Sequence, residues 1–342
     1  MSITTKNHAM DQTYLYPLRF EPIYQYRLWG GRRLANLLST PLPGEGPIGE
    51  AWLLSDRDDH PSIVADGPLK GLTIKQLLEQ WPEQVMGKSA GRFSRFPLLL
   101  KFLDARDTLS VQVHPSDGQT KYIPEGESGK TEAWVVLETG PQSRIYAGLK
   151  PGVTEVDLRN AIKAGTVADR LSCFCPKPGD GVLIEAGTVH SLGDVVVFEV
   201  QENSDVTFRL YDWDHVDAKT GRPRPLQVEQ AMACVDFAQS AIGPVVPVVK
   251  EEKPVLRERL FLCKHFWLWR HQGSSPFLVG AAGSPRVLVC IAGNGSLKHK
   301  GADYLFGKGG VLLLPAMVGA CLCLPGGPVT ILEISLPEGT TP

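Results

Sequence analysis

The 342-residue chain has no excess of positive charge: 35 Lys and Arg stand against 37 Asp and Glu, a formal net charge of −2. Without a basic field the chain is not built to coat nucleic acid or an anionic membrane, and an anionic small molecule has to be held by a few local cations. No segment approaches the roughly 20 apolar residues of a membrane span. The opening MSITTKNHAMDQTYLYP has no apolar core of signal-peptide length, so a cytoplasmic protein is expected. Disulfide stapling is not indicated. Seven cysteines are an odd number in a chain long enough to bury its own core, and reduced thiols are expected. The C-x-C pairs Cys173/Cys175 and Cys321/Cys323 are closer than zinc-thiolate spacing, and the second, in ACLCLP, reads as small apolar residues on one strand face.

What is present is a β pattern. The 35 glycines and 27 prolines fall between short apolar runs, as in a turn-rich strand protein. Strand-like runs include FPLLLKFLDA (96–105), LSVQVH (109–114), EAWVVLE (132–138), GVLIEAG (181–187), VVVFEVQ (195–201), VTFRLYDW (206–213), FLCKHFWLWR (261–270), RVLVCIAG (286–293), GVLLLPA (310–316) and TILEI (330–334). Three segments read as helices: 72–81, with Thr73 and Gln76 in capping-box spacing; 154–165, with Thr154 as cap and Gly165 at the stop; and 225–237, opened by a proline. The proline-rich stretch AIGPVVPVVKEEKPV (241–255) reads as a linker. It divides the chain near residue 245 into a unit of residues 1–245, with helical additions, and a strand-only unit of residues 246–342. A weak repeat links the two: Gly179 to His190 aligns with Gly309 to Ala320, each a turn glycine, an apolar strand and a tight turn. Only the first copy ends on a histidine.

The stretch SVQVHPSD (110–117) alternates Ser110, Gln112 and His114 with Val111 and Val113 until Pro115 stops it. In an extended chain the polar three share one face and the valines the other. Together with Glu132 in GKTEAW and His190 in AGTVHSLG, Gln112 and His114 form a candidate ligand set drawn from three strands. Imidazole nitrogens with a carboxylate suit a borderline cation such as Zn2+, although a lone histidine is more often structural than ligating.

The segments QVHPSD (112–117), GKTEAW (129–134), AGTVHSLG (186–193) and NSDVTFRLYDWD (203–214), with WGGRRL (29–34) and GEAWLLS (49–55), resemble the type I mannose-6-phosphate isomerases in their short bacterial form, zinc-dependent members of the cupin superfamily. The resemblance runs from about residue 17 to 235 and thins beyond it. It implies a mainly β fold of two cupin-type jelly-roll barrels with a few added helices, the first barrel holding one Zn2+ and the second lacking metal ligands. The metal ligands it implies are Gln112, His114, Glu132 and His190, of which the last three are the firmer. The implied reaction interconverts mannose 6-phosphate and fructose 6-phosphate through a cis-enediol. That chemistry needs a base, an electrophile and a grip on phosphate.

Arg209 matches the family's active-site arginine, as charge stabiliser or phosphate clamp; without the motif it reads as a rim arginine paired to Asp205 or Asp212. Lys130, Glu199 and Asp205 are the candidates for the base, with Lys130 otherwise an exposed loop lysine and Glu199 otherwise a strand-edge ion pair or a partner to a zinc histidine. Ser110 and Lys101 match substrate contacts, Lys101 interrupting an apolar run where an edge lysine is the bland alternative. Two departures stand out: His215 replaces the arginine that commonly follows YDYD, and Glu185 replaces the proline of the cupin turn. The expected partner is a small sugar phosphate, with no nucleic acid or membrane, for a monomer or weak oligomer. The alternatives are a non-catalytic sugar-phosphate-binding regulatory cupin and another metal-dependent cupin enzyme, such as an iron dioxygenase using the same two histidines and carboxylate.

Overall fold

The structure is a computed structural model and describes residues 15–38, 40–239 and 241–337. Most of the opening segment read for a leader therefore lies outside the described residues. The first sheet is built from β1 (Ile23–Gln25), β2 (Glu50–Leu54), β3 (Leu98–Ala105), β4 (Val111–Val113), β5 (Glu132–Leu149), β6 (Leu171–Phe174), β7 (Gly181–Ile184), β8 (His190–Glu202) and β9 (Phe208–Tyr211). Its order is β1-β2-β3-β8-β4-β9, with β5 pairing β6, β7 and β8. The long strands β5 and β8 let one sheet curl on itself. Their early and late halves pair across the barrel, Glu132 with Gln201 and Ala147 with His190.

The second barrel packs a six-stranded sheet against a four-stranded one. The first holds β12 (Val248–Glu251), β13 (Leu256–Leu262), β14 (Trp267–Gly273), β16 (Arg286–Ala292), β19 (Val311–Leu314) and β21 (Val329–Ser335). The second holds β15 (Phe277–Val279), β17 (Asn294–His299), β18 (Ala302–Gly307) and β20 (Cys321–Pro325). Cys321 and Cys323 face the core between these sheets while Leu322 is exposed, as the alternation in ACLCLP requires. Mainly β structure in cupin barrels, with few helices, is thus what the chain forms. The barrels share one apolar cluster containing Leu18, Phe96, Phe198, Phe261, Val289 and Leu332. Leu18 also pairs with Leu313 of β19 through mutual backbone bonds of 2.8 and 2.9 Å.

Two helices form where capping chemistry placed them. In α1 (Ile74–Gln80) the Thr73 and Gln76 side chains cap reciprocally, and a short helix, α2 (Pro82–Met86), follows with proline in its first turn. In α3 (Glu155–Ala164) Thr154 and Asp157 do the same, and Gly165 closes the helix at φ 68°. The third begins later than expected: α4 (Val228–Cys234) starts after Gln227 because that residue is tied to β9, its N–H donating to Arg209 O and its side chain accepting from Arg209 N. The run 261–270 is likewise not one strand. It folds back at Cys263, whose N–H donates to Phe266 O, so β13 and β14 form a hairpin without a glycine or proline to announce it.

Val111 and Val113 are fully buried among Leu158 of α3, Leu210 of β9 and Met232 of α4. The helices cover that outer face, and Ser110, Gln112 and His114 are left to the barrel interior.

Candidate metal centre and cavity

Two rows of cross-strand neighbours build the site. In the first, Trp52 of β2 lies opposite Lys101 of β3, Lys101 opposite Glu199 of β8, and Glu199 opposite Trp134 of β5. In the second, Arg209 of β9 lies opposite Gln112 of β4, and Gln112 opposite His190. Each row is a set of directly opposed residues, so their side chains share one face.

At the inner end His114, Glu132 and His190 converge, each about 1% exposed. His114 Nε2 is 3.5 Å from Glu132 Oε2, and His190 Nε2 is 3.4 Å from Glu132 Oε1. The far ring nitrogens are engaged: His114 Nδ1 with Val206 O at 2.8 Å, and His190 Nδ1 with Thr188 O at 2.9 Å. A carbonyl can only accept, so each Nδ1 carries the proton and each Nε2 offers a lone pair. Burial, then the Lys130 charge, pulls the His114 pKa down to about 3, and burial lowers that of His190, so both rings are neutral. Burial works against an ionised Glu132, but the charge of Lys130, whose Nζ is 2.9 Å from Oε2, outweighs it and holds the carboxyl well below its usual range.

His114 Nε2 and Glu132 Oε1 are buried without a hydrogen bond and Oε2 meets only the Lys130 ammonium, a costly arrangement unless a further cation joins them. The donor atoms of the three residues lie within 4.8 Å of one another, and two neutral imidazoles with a carboxylate form a metal-binding set. The residues fit a metal ion. Gln112 Nε2 lies 3.2 Å from His190 Nε2, beside the same point.

The centre opens into a cavity of about 390 Å³. Its wall carries Arg27, Lys101, Lys130, Arg209 and Arg224 against Glu50, Glu132, Glu199, Asp205 and Asp217, so cations and carboxylates are equal in number. Lys101 sits 3.4 Å from Glu199 Oε1, 3.8 Å from Asp205 Oδ1 and 4.0 Å from Glu50 Oε2, beside the Trp52 ring. Glu199 Oε2 accepts from Trp134 Nε1 at 2.9 Å, and burial, then the nearby Glu132 charge, raises its pKa. Arg209 has no carboxylate partner among the described residues, and its Nε is buried without a hydrogen bond. Burial and the adjacent Arg224 charge lower its pKa.

The structure therefore brings Gln112, His114, Glu132, His190, Lys130, Lys101, Glu199, Asp205 and Arg209 to one place. Ser110 is adjacent but turned to Gln112, its hydroxyl donating to Oε1 at 3.1 Å. Arg209 pairs with neither Asp205 nor Asp212; Asp212 is taken by Arg224. Lys130, in the loop before β5, is buried rather than exposed. Sequence reasoning did not single out Arg27 and Arg224, whose signal is a charge buried against a distant carboxylate. The two glycines of WGG, next to Trp29 of the cavity wall, allow close packing: a Cβ at Gly30 would strike the Gly49 backbone, and one at Gly31 the buried Asp104 carboxylate that anchors Arg33. A second group, Asp117, Glu202 and His265, is close enough to hold an ion, but its donors are spent. Asp117 faces Lys264 at 3.1 Å and Gly129 N, and Glu202 faces His265 at 2.9 Å and Thr131 N.

Residues 18–132 match the family model described as phosphomannose isomerase type I, catalytic domain. The chain is 33% identical over 320 residues to mannose-6-phosphate isomerase ManA of Bacillus subtilis (strain 168), covering 89% of this chain and 94% of that one. It is 34% identical over 303 residues to a mannose-6-phosphate isomerase of Streptococcus mutans, covering 87% and 92%. The crystal structure of the Bacillus subtilis mannose 6-phosphate isomerase superposes with a TM-score of 0.85 at 29% identity, covering 93% of this chain and 99% of that one.

Proposed function

The chain belongs to the type I phosphomannose isomerases, and from that membership we propose that it interconverts mannose 6-phosphate and fructose 6-phosphate with one zinc ion. The carrying observation is the buried triad of His114, Glu132 and His190, whose Nε2 atoms and carboxylate converge beside a cavity lined by five cations and five carboxylates. When bound there, zinc supplies a Lewis acid that polarises a substrate oxygen. Gln112 completes the set once its amide turns Oε1, which here accepts from Ser110, into the place of Nε2 beside His190.

A proton passes between C1 and C2 through a cis-enediol, and the side chains divide that work. Glu199 takes the proton: it is buried on the cavity wall, and Trp134 and Lys101 fix both of its oxygens. Lys130, held cationic beside Glu132, and Arg209, without an ion-pair partner among the described residues, face the charge that develops on oxygen. Lys101 and Ser110 frame the substrate, and Asp205, half exposed at the rim, is an auxiliary acid. We place the catalytic unit at residues 1–245, with a metal-free barrel at 246–342. We place the protein in the cytoplasm, which agrees with seven free thiols and with the lack of a membrane-spanning helix among the described residues.

The test is a coupled assay on both sugar phosphates, before and after chelation and on return of zinc. Turnover that falls with the metal and returns with it is expected. A metal-loaded protein that binds the sugars saturably without turnover would reject isomerisation in favour of a binding protein. Oxygen uptake by an iron-loaded sample would reject it in favour of a dioxygenase. Within the same assay, Arg209→Ala is expected to lower kcat about 100-fold, the scale of losing one preorganised charge on a developing oxyanion. An effect on KM alone would restrict Arg209 to holding substrate.

A further inference from the structure

We propose that Arg27 and Arg224 seat the phosphate of the substrate at the cavity mouth, an inference that rests on the sugar-phosphate reading above. The two side chains come from distant parts of the chain and are held alike. Arg27 donates from Nε and Nη2 to the two oxygens of Glu50, both at 3.0 Å. Arg224 donates from Nε and Nη2 to the two oxygens of Asp212, at 2.9 and 2.5 Å. Glu50 and Asp212 are themselves buried, 7% and 6% exposed. A guanidinium has five N–H donors in a rigid plane. A carboxylate docked on the Nε–Nη2 edge fixes that plane and leaves the Nη1 edge for another acceptor. In Arg27 one Nη1 hydrogen goes to Tyr26 O at 3.2 Å; in Arg224 no described residue takes either.

The two segments are fastened at the mouth. Tyr26 OH donates to Asp217 at 3.2 Å, and Lys219 Nζ lies 3.4 Å from the centre of the Tyr26 ring. Asp217 belongs to the small hairpin of β10 (Val216–Asp217) and β11 (Arg222–Pro223), which delivers Arg224. His215, where the family commonly has arginine, stands 3.9 Å from Asp212 Oδ1 and brings no second guanidinium to compete for it.

Charge balance gives these arginines their partner. With Asp212, which holds Arg224, the five cations of the wall meet six carboxylates. A divalent ion at the triad turns that balance positive, which favours an anionic phosphate. The inner cations serve the reacting end: Lys130 lies beside Glu132, Lys101 beside Glu199, and Ser110 donates to Gln112. Arg209, beside Gln112 in the second row, belongs to the reacting end. Arg27 and Arg224 have oriented donors to spare.

Inorganic phosphate is the probe, measured by calorimetry on zinc-loaded enzyme so that no turnover is needed. Arg27→Gln and Arg224→Gln are each expected to weaken phosphate about 10-fold and raise KM for mannose 6-phosphate about 10- to 100-fold, with kcat changed less than about threefold. Wild-type phosphate affinity in both folded variants would overturn the proposal, as would a loss confined to kcat. Arg27→Lys and Arg224→Lys keep the charge and lose the fork, and they replace any neutral variant that fails to fold. Several-fold weaker binding supports the seat, and unchanged binding overturns it. A wild-type enzyme that binds phosphate through these residues yet isomerises neither sugar would reject the reaction and leave the seat standing.

Discussion

Replacing Glu132 by alanine is expected to lower kcat/KM by about 10⁴-fold or more if the proposed metal centre holds, because it removes the one carboxylate of the proposed ligand set and with it several kcal/mol of Lewis-acid stabilisation. The structure makes the effect double. Glu132 also neutralises Lys130 at 2.9 Å, and both groups are almost fully buried. Without the carboxylate, the lysine charge stands beside two neutral imidazoles, which opposes a cation at the same point. Metal content by atomic spectroscopy should therefore fall together with activity. Glu132→Gln separates the contributions: it keeps the size and one oxygen donor, so it should retain more metal than alanine while still losing most turnover. A Glu132→Ala enzyme that held stoichiometric zinc and turned over normally would move the metal elsewhere.

The residues that meet at the centre were legible because a buried polar cluster of this kind breaks a pattern. Histidine and glutamine at alternate positions beside valine leave the polar atoms on one face, and the covering helices fix which face is inside. Lys101 and Glu199 were visible for the same reason, as charges interrupting apolar runs. Their pairing was not, since it depends on the antiparallel register of β3 with β8. Arg27 and Arg224 went unread because a guanidinium in a loop looks solvated until its carboxylate arrives, and Glu50 and Asp212 lie 23 and 12 residues away. The fold shows the same division. Capping placed α1 and α3 and the cysteine alternation oriented β20, all from neighbours in sequence. The hairpin at Cys263–Phe266 and the late start of α4 are set by contacts made only in the folded chain.

Glu199→Gln is expected to lower kcat about 10³-fold with little change in KM or metal content, the range for losing a positioned base. Glutamine is the informative replacement. Its side-chain oxygen can still accept from Trp134 Nε1, now 2.9 Å from Glu199 Oε2, so the ring packed against His190 keeps its place. Only the ability to take a proton and the charge opposite Lys101 are lost. The second loss adds a partly uncompensated lysine, yet Glu50 and Asp205 remain within 4.0 Å of it, so folding should survive. Exchange of the substrate C2 proton with deuterated solvent separates a base from a structural carboxylate: it should slow as much as turnover does. If Glu199→Gln isomerises at the wild-type rate, the proton passes to Lys130 or Asp205, and the same exchange measurement on Lys130→Met and Asp205→Asn identifies which. A loss of turnover with exchange intact would instead place Glu199 in the return of the proton or in product release.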